Sequence, residues 1–295
     1  MQPRREAAAI DHRLAITDGE FRRLSDLIRS HTGIVLSDHK RALMCSRLAK
    51  RLRHYGLNRY QDYYDLLTES PAGKQELQAM INAITTHKTQ FFRESHHFRF
   101  LFEHILLPFR RQLRRSPPLR IWSAGTSSGE EAYSIAMTVR EAIPDRLDPA
   151  VRILATDIST DTLRRAEAGV YTMALAREVP EVLLHRYFLK GQGLHDGQVS
   201  AKPELRSLIW FRQLNLMDNP WPLDSRFDVI FCRNVLIYFD QAAQRKLVSR
   251  FHSLLEPGGA LMLGHSEALH GWASGFRPVG HSIYVAEGSS RCPSE

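Results

Sequence analysis

The sequence predicts an α/β fold: a doubly wound sheet with helices on both faces, preceded by an all-α segment and carrying one small antiparallel insertion. Three observations lead there. From residue 119 onward, apolar runs of strand length alternate with helical stretches, the βαβ pattern of a parallel sheet. The first ninety residues carry helical periodicity alone. A glycine-rich stretch at 187–200 then interrupts the alternation.

Asp18-Gly19-Glu20-Phe21 opens the first helix, in which Phe21, Leu24, Leu27 and Ile28 share a face and which Gly33 ends. A second helix at about 38–54 has two stripes. Met44, Leu48, Leu52 and Tyr55 are spaced for a core, and Arg47, Lys50, Arg51 and His54 lie on another side. The basic stripe reads either as a solvated face or, because like charges on a short helix repel, as a docking surface for an acidic partner. Helices follow at Tyr60–Glu69 and at about 76–84, parted by Ser70-Pro71-Ala72-Gly73.

After a helical stretch at about 95–115, Ser116-Pro117-Pro118 stiffens the entry into the first strand. Val151 to Thr156 is a second strand, and Ser159 or Thr160 caps a helix that runs to Ala168 with Gly169 beyond it. Phe227–Cys232 is another strand, Asp240 caps a helix through Leu255, and Glu256-Pro257-Gly258-Gly259 turns the chain into Ala260 to Gly264. Ser282 to Ala286 is the last expected strand. The stretch from Tyr187 to Ser200, with Gly191, Gly193 and Gly197, continues into Leu208-Ile209-Trp210-Phe211. It reads as an antiparallel insertion at about 185–212, or as a plain surface hairpin. The expected division is a helical domain at 1–90 and an α/β domain at 91–295.

With 295 residues, 43% of them hydrophobic, the chain can bury one substantial core and a smaller companion. Cys45, Cys232 and Cys292 lie far apart with no C-x-x-C pair, which speaks against a disulfide framework or a zinc site and for a reducing compartment. No metal is expected. Met1 to Ala9 lacks an apolar core, and no run approaches the roughly 18 apolar residues of a membrane span. A soluble, cytoplasmic protein without membrane insertion is therefore expected. The net charge of +8 asks for an acidic partner, whether nucleic acid, an anionic membrane face or a glutamate-rich protein.

The most informative stretch runs from Ile121 to Ala136, a buried strand, a turn containing Gly125 and Gly129, and a helix. Such a turn presents backbone amides to a ligand, although glycine also serves strand-to-helix packing alone. Asp157 follows at the carboxyl end of the next strand, where a carboxylate can take both hydroxyls of a ribose. The turn lacks the G-x-G-x-x-G pattern, and Glu130 and Glu131 stand where a pyrophosphate needs bare amides. An adenosyl cofactor without phosphates fits better, and S-adenosylmethionine is the evident candidate. Two further clusters lie where they can face the same crevice: Thr85 to Glu94, with Phe91, Phe92 and Arg93, and Arg233 to Phe239, with Asn234 and Tyr238. Each has a plain reading too. The phenylalanines can be core, Arg93 can pair with a neighbouring carboxylate, and Tyr238 can be a packing residue.

Together these segments carry a resemblance. Thr-Thr-x-x-Thr-x-Phe-Phe-Arg-Glu at 85–94, Trp-Ser-Ala-Gly-x-Ser-x-Gly-Glu-Glu-x-Tyr-Ser at 122–134, Ala-Thr-Asp at 155–157, Phe-Cys-Arg-Asn-Val-x-Ile-Tyr-Phe-Asp at 231–240 and Gly-His-Ser-Glu at 264–267 resemble the CheR family of chemotaxis receptor methyltransferases. Five motifs in order span nearly the whole chain. The resemblance implies a small helical domain followed by a Rossmann-like methyltransferase domain with an inserted β-subdomain. It implies methyl transfer from S-adenosylmethionine to glutamate side chains on the cytoplasmic helices of chemoreceptors, leaving S-adenosylhomocysteine. Carried over residue by residue, His87, Thr89, Arg93, Glu131, Asp157, Asn215, Leu216, Arg233 and Asn234 serve the cofactor, with Asp157 on the ribose and Asn215 and Leu216 at the adenine. Arg93 and Tyr238 serve the chemistry. His87 stands where family members have asparagine. Arg47, Lys50, Arg51 and His54 would dock the acidic receptor helix, and Gly191 and Gly193 belong to a loop that resembles the one with which the family grips a receptor C-terminal pentapeptide. A monomer is expected.

The chemistry agrees with that reading. A glutamate carboxylate, with an ordinary pKa of about 4.3, is ionised near neutral pH and needs no general base. Positioning for in-line attack, about 3 Å from the methyl carbon, is what remains for the protein to supply. A nucleic-acid methyltransferase would also explain the basic charge, but the segment after Asn234 lacks the Pro-Pro of amino-methylating sites, and no run of basic and aromatic residues suggests base stacking, so no nucleic-acid partner is expected. A sensor that binds the cofactor without catalysis is the third reading, disfavoured by Arg93 and Tyr238.

Overall fold

The computed structural model describes residues 15–112, 117–143, 150–269 and 275–287. The chain divides between Thr85 and Thr86 into two units, so the expected boundary after residue 90 lies inside the second.

Among its described residues the first unit holds four helices, α1 (Asp18–Thr32), α2 (Arg41–His54), α3 (Tyr60–Glu69) and α4 (Gly73–Ile84), with a single turn of 3-10 helix, Asp38–Lys40, ahead of α2. Thr17 and Glu20 close a reciprocal capping box at the start of α1, and Gly33 ends it with φ 73°. Phe21, Leu24, Ile28, Met44, Leu48, Leu52, Tyr60, Tyr63, Leu67 and Met80 share one core. Tyr55 leaves the expected apolar stripe. It is the C-cap of α2, where the helical period ends, and it is exposed, edge-on to His54. α4 begins three residues earlier than its periodicity suggests, because a Cβ on Gly73 would stand 2.5 Å from the Leu67 carbonyl oxygen and only glycine permits that turn.

The second unit opens with α5 (His96–Phe100), one stretch of π-helix at Leu101–Leu106 and α6 (Leu107–Gln112). It continues through β1 (Leu119–Ala124), α7 (Glu130–Ala142), β2 (Val151–Asp157), α8 (Thr160–Ala168), β3 (Val170–Thr172), α9 (Met173–Ala176), α10 (Glu181–Tyr187), β4 (Phe188–Lys190) and β5 (Gln198–Ala201). It closes with α11 (Pro203–Arg206), β6 (Ile209–Gln213), β7 (Phe227–Cys232), α12 (Gln241–Leu254), β8 (Leu255–Leu263), β9 (Phe276–Gly280) and β10 (Ile283–Ala286). The large sheet has the order β6-β2-β1-β7-β8-β10-β9; its first five strands are parallel and β10 is antiparallel to both neighbours. Alternate residues of each strand enter opposite cores. Ile121, Ile153, Val229, Phe231 and Met262 pack with α7 on one face, and Trp122, Ile230, Leu261 and Leu263 pack with Leu247, Val248 and Phe251 of α12 on the other. The doubly wound α/β arrangement with an all-α unit ahead of it is therefore as the alternation predicts. Because β2 and β7 flank β1 on opposite sides, the chain reverses direction across the sheet there, and the crevice for a ligand lies at the carboxyl ends of these strands.

The antiparallel insertion differs from its expected bounds. Its three strands run β3-β5-β4, so it begins at Val170, while Ile209–Gln213, which the sequence groups with it, is the edge strand of the large sheet in parallel register with β2. A three-residue strand such as β3 is too short to show a period, and an edge strand following a short helix looks locally like a hairpin arm. The expected turn at Glu256 to Gly259 is absorbed into β8: Phe227 faces Leu255 and Val229 faces Ala260, so the extra residues form a bulge. β9 was not expected from its pattern. It carries Pro278, which an edge strand tolerates.

Candidate active site

The turn after β1 is shaped by close approaches within the protein. Gly125 (φ 88°) and Gly129 (φ 96°) have left-handed backbones, and a Cβ at either would stand 2.4 Å from Val235 Cγ2 or 2.9 Å from the Tyr171 hydroxyl. Packing of the chain on itself is thus sufficient reason for both glycines. Asp157, buried at the end of β2, holds this turn: Ser127 N–H donates to one carboxylate oxygen at 2.8 Å and Ser159 N–H to the other at 2.9 Å. Burial pushes the Asp157 carboxyl up, opposed by these amides and by the nearby His87.

Glu131, on the first turn of α7, accepts from Ser123 Oγ at 2.7 Å and from Arg233 Nη1 at 3.2 Å. Arg233 follows β7 directly; its side chain is 2% exposed, lies 3.4 Å from a Glu94 oxygen, bonds the Arg93 carbonyl and sits over the Phe98 ring. Burial raises the Glu131 carboxyl and Arg233 opposes the rise. The two residues expected to serve a cofactor are therefore partners of each other, and Arg233 also fixes the 86–94 segment.

That segment is a strap tied down at both ends. Ser127 Oγ donates to the His87 carbonyl at 3.2 Å, Phe91 N–H to Glu178 at 3.2 Å and Phe92 N–H to Ser134 Oγ at 3.0 Å. Phe91 is buried edge-on against Tyr171 with ring centroids 4.9 Å apart, which fastens the strap to the small sheet. Phe92 (φ 49°) and Glu94 (φ 56°) occupy the left-handed region, a strained conformation for such residues that the surrounding bonds enforce. Thr89 is half-buried between these anchors, and Arg93 donates from Nη1 to the Lys88 carbonyl at 3.2 Å.

The turn after β7 depends on a carboxylate from the turn after β8. Glu267 accepts from Asn234 N–H at 2.7 Å, Gly264 N–H at 2.6 Å and Ile237 N–H at 3.2 Å. Asn234 is held at φ 58°, and Gln244 donates to the carbonyls of Leu236 and Phe239, closing a 3-10 turn that presents Tyr238 half-buried and Ile237 exposed. Beyond β6, Leu214 N–H donates to the Asp157 carbonyl, Asn215 Oδ1 accepts from Met217 N–H at 3.0 Å, and Leu216 is buried.

His87, Arg93, Glu131, Asp157, Arg233 and Asn234 are thus joined through the strand-end turns. Glu94, Glu267, Ser127 and Ser134 lie within the motifs, and it is their hydrogen bonds and contacts that add them to the site. A glutamate just past a strand's carboxyl end was the available signal for Glu267.

The proposed docking stripe on α2 divides in two. Arg47 donates to the Ile84 and Thr85 carbonyls at the end of α4, and Arg51 donates from Nε to buried Glu76 at 2.9 Å, so both turn inward within the helical unit. Lys50 and His54 are exposed. In the small sheet, a Cβ on Gly191 would meet the His195 carbonyl oxygen at 2.0 Å, whereas Gly193 has open space and φ 59°.

The donor set fits an adenosyl sulfonium cofactor. Glu94, Glu130, Glu131, Asp157 and Glu267 lie on the strap and on the strand-end turns with one buried guanidinium, Arg233, among them; burial raises the carboxyls of Glu130, Glu131, Asp157 and Glu267. Such a rim rewards hydroxyls and positive charge and repels phosphates. The buried Thr126 hydroxyl, without a partner among the described residues, adds a hydrogen-bonding group at the same turn. Among the described residues no group of three or more His, Cys, Asp and Glu is arranged to hold a metal ion, and no helix is long and apolar enough to cross a membrane.

Comparison with known proteins bears on the same residues. Residues 19–85 match the CheR methyltransferase all-alpha domain and residues 87–285 the CheR methyltransferase SAM binding domain. The chain is 43% identical over 279 residues to the chemotaxis protein methyltransferase of Klebsiella aerogenes, covering 94% of this chain and 92% of that protein. It is 42% identical to the Escherichia coli protein of that name, covering 92% of each. It is 42% identical to chemotaxis protein methyltransferase 2 of Pseudomonas aeruginosa, covering 91% of this chain and 93% of that one. With its helical unit, its S-adenosylmethionine-binding α/β unit and these relatives, the chain belongs to the CheR family of chemotaxis methyltransferases.

Proposed function

We propose that the protein transfers a methyl group from S-adenosylmethionine to glutamate carboxylates on chemoreceptor helices. The observation that carries this is the position of Arg93: a guanidinium bonded to a carbonyl rather than to a carboxylate, on a strap tied over a rim of acidic residues. A glutamate brought to such a rim needs a cation to offset the surrounding negative charge. Arg93 orients the incoming carboxylate, Tyr238 on the 3-10 turn shapes the opposite wall, and Asp157, Glu131, Asn215, Leu216 and Asn234 hold the nucleoside and amino-acid ends of the cofactor.

When bound, the cofactor supplies an electrophilic methyl group on a sulfonium. The protein's part is to exclude water and to align the acceptor, since charge is annihilated in the transition state and a dry pocket favours it. Lys50 and His54, on the exposed side of α2, meet the acidic receptor surface, and the loop of Gly191 and Gly193 binds a receptor C-terminal peptide along the small sheet. The enzyme works as a cytoplasmic monomer.

The test is incubation with labelled S-adenosylmethionine and chemoreceptor membranes, followed by mild alkali. Methanol released from receptor label supports carboxyl methylation; alkali-stable label on nucleic acid in place of receptor would overturn it. Arg93→Ala should lower kcat/KM about hundredfold with cofactor affinity retained, since a misplacement of about 1 Å costs that much.

A further inference from the structure

Glu267 belongs to no expected role, yet its position is unusual. It is a buried carboxylate, 6% exposed, whose bonds go to backbone amides: Oε2 accepts from Asn234 and Gly264, and Oε1 from Ile237. These amides belong to the turns that follow two adjacent parallel strands, β7 and β8. One of them is the amide of Asn234, whose backbone is left-handed at φ 58° at the start of the turn that runs to Tyr238. Gly264 is constrained by the same group, because a Cβ there would stand 2.7 Å from Glu267 Oε2 and 2.5 Å from Asn234 Nδ2.

We infer that Glu267 is a positioning residue for methyl transfer: its carboxylate clamps the Asn234 to Tyr238 turn in the geometry that presents Tyr238 to the reacting groups. The inference rests on the reading of Tyr238 as part of the reaction site. A carboxylate is required because both oxygens must accept at once. In Glu267→Gln the amide oxygen keeps Asn234 and Gly264, and the NH2 then faces the Ile237 N–H, donor against donor. The end of the turn that carries Tyr238 is released while the Asp157 and Glu131 side of the crevice is untouched.

The test compares wild type, Glu267→Gln and Glu267→Asp as full-length protein. Turnover on receptor membranes is normalised to the number of cofactor-binding sites found by calorimetry, and amide hydrogen exchange is followed over 233–238, 264–267, β1 and α7. The expected result for Glu267→Gln is turnover per site lowered about tenfold or more, with exchange faster at 233–238 and unchanged in β1 and α7. Turnover per site within threefold of wild type, unchanged exchange at 233–238, or exchange raised equally in β1 and α7 would overturn the inference, the last because it marks general loss of structure. If the glutamine variant does not fold, Glu267→Asp, which keeps the charge but is too short to span both turns, is judged by the same exchange criterion. A wild-type protein that leaves receptors unmethylated defeats the receptor reading alone, and the exchange pattern then decides the role of Glu267.

Discussion

Replacing Arg233 by methionine isolates what the buried guanidinium does. It stands within 3.4 Å of Glu94 and 3.2 Å of Glu131, and the three side chains are 2%, 14% and 12% exposed. Methionine fills much of the volume and stacks on Phe98, so the loss is chiefly of charge and hydrogen bonds. Removing one partner of a buried ion pair costs about 3–5 kcal/mol because the other charge stays behind uncompensated. For a unit of this size each kcal/mol moves the unfolding midpoint by about 2–4 °C, so the α/β transition should fall by about 6–20 °C. The loss should depend on pH with a definite sign. Without Arg233, burial acts on Glu131 unopposed and its carboxyl rises further above the usual value. A raised carboxyl binds its proton more tightly in the folded state than in the unfolded one, so stability is present at low pH and lost as pH climbs from the unfolded value through the folded one. The penalty of Arg233→Met is therefore smaller at pH 5 than at pH 8, and adding Glu131→Gln recovers part of it. Calorimetry of the full chain at both pH values reads this directly. A midpoint within about 2 °C of wild type at pH 8, or a larger penalty at pH 5, would refute the reasoning.

Three further expectations concern groups away from the reacting atoms. In the helical unit, Arg51→Ala leaves Glu76, 1% exposed, with neutral hydroxyls, Tyr63 at 2.6 Å and Tyr55, in place of its cation. It should lower that unit's stability by about 3 kcal/mol, measured by urea unfolding, and leave cofactor affinity unchanged. Lys50→Glu should change stability by less than about 0.5 kcal/mol and yet slow receptor methylation, most strongly at low salt. His97 is fully buried, and burial with Arg233 close by lowers its pKa to about 3, so it is neutral beside Glu94 and the contact is not an ion pair. Since the unfolded chain takes up the proton first, stability is lost as pH falls below about 6.5, by about 2 kcal/mol between pH 7 and pH 5. His97→Phe should flatten that part of the pH profile, and an imidazole titrating near 6.5 by NMR would contradict the assignment.

The elements legible in the sequence were those whose signal is complete within a few residues. α1 shows its cap, its period and its terminal glycine in sequence, and Ser159 with Gly169 frames α8 in the same way. What escaped was settled by partners far along the chain. Ile209–Gln213 has the composition of a hairpin arm, and only its pairing with β2 makes it an edge of the large sheet. Arg47 and Arg51 share a helical face with Lys50 and His54, and a helical wheel cannot tell them apart. The difference lies 25 residues on, in Glu76, and at the end of α4, whose buried acceptors draw two of the four cations inward.

The same limit governs the site, and it separates two kinds of residue that a motif mixes together. Glu131 and Arg233 lie 102 positions apart and satisfy each other. Asp157 spends a bond from each oxygen on the turns beside it, and Glu267 spends its own on amides of two turns. A motif marks such residues as necessary without saying whether they touch a ligand or hold what does. Burial decides. A carboxylate whose oxygens already meet amides, in a crevice that raises its proton affinity, stores an electrostatic demand that an incoming cation can satisfy. Arg93 differs, since it is bonded to a carbonyl on a strap and can turn toward an incoming carboxylate without abandoning another charge. Under the proposed function the acidic residues would on that ground assemble the crevice for the cofactor, and Arg93 would be the residue whose removal affects the acceptor most and the fold least.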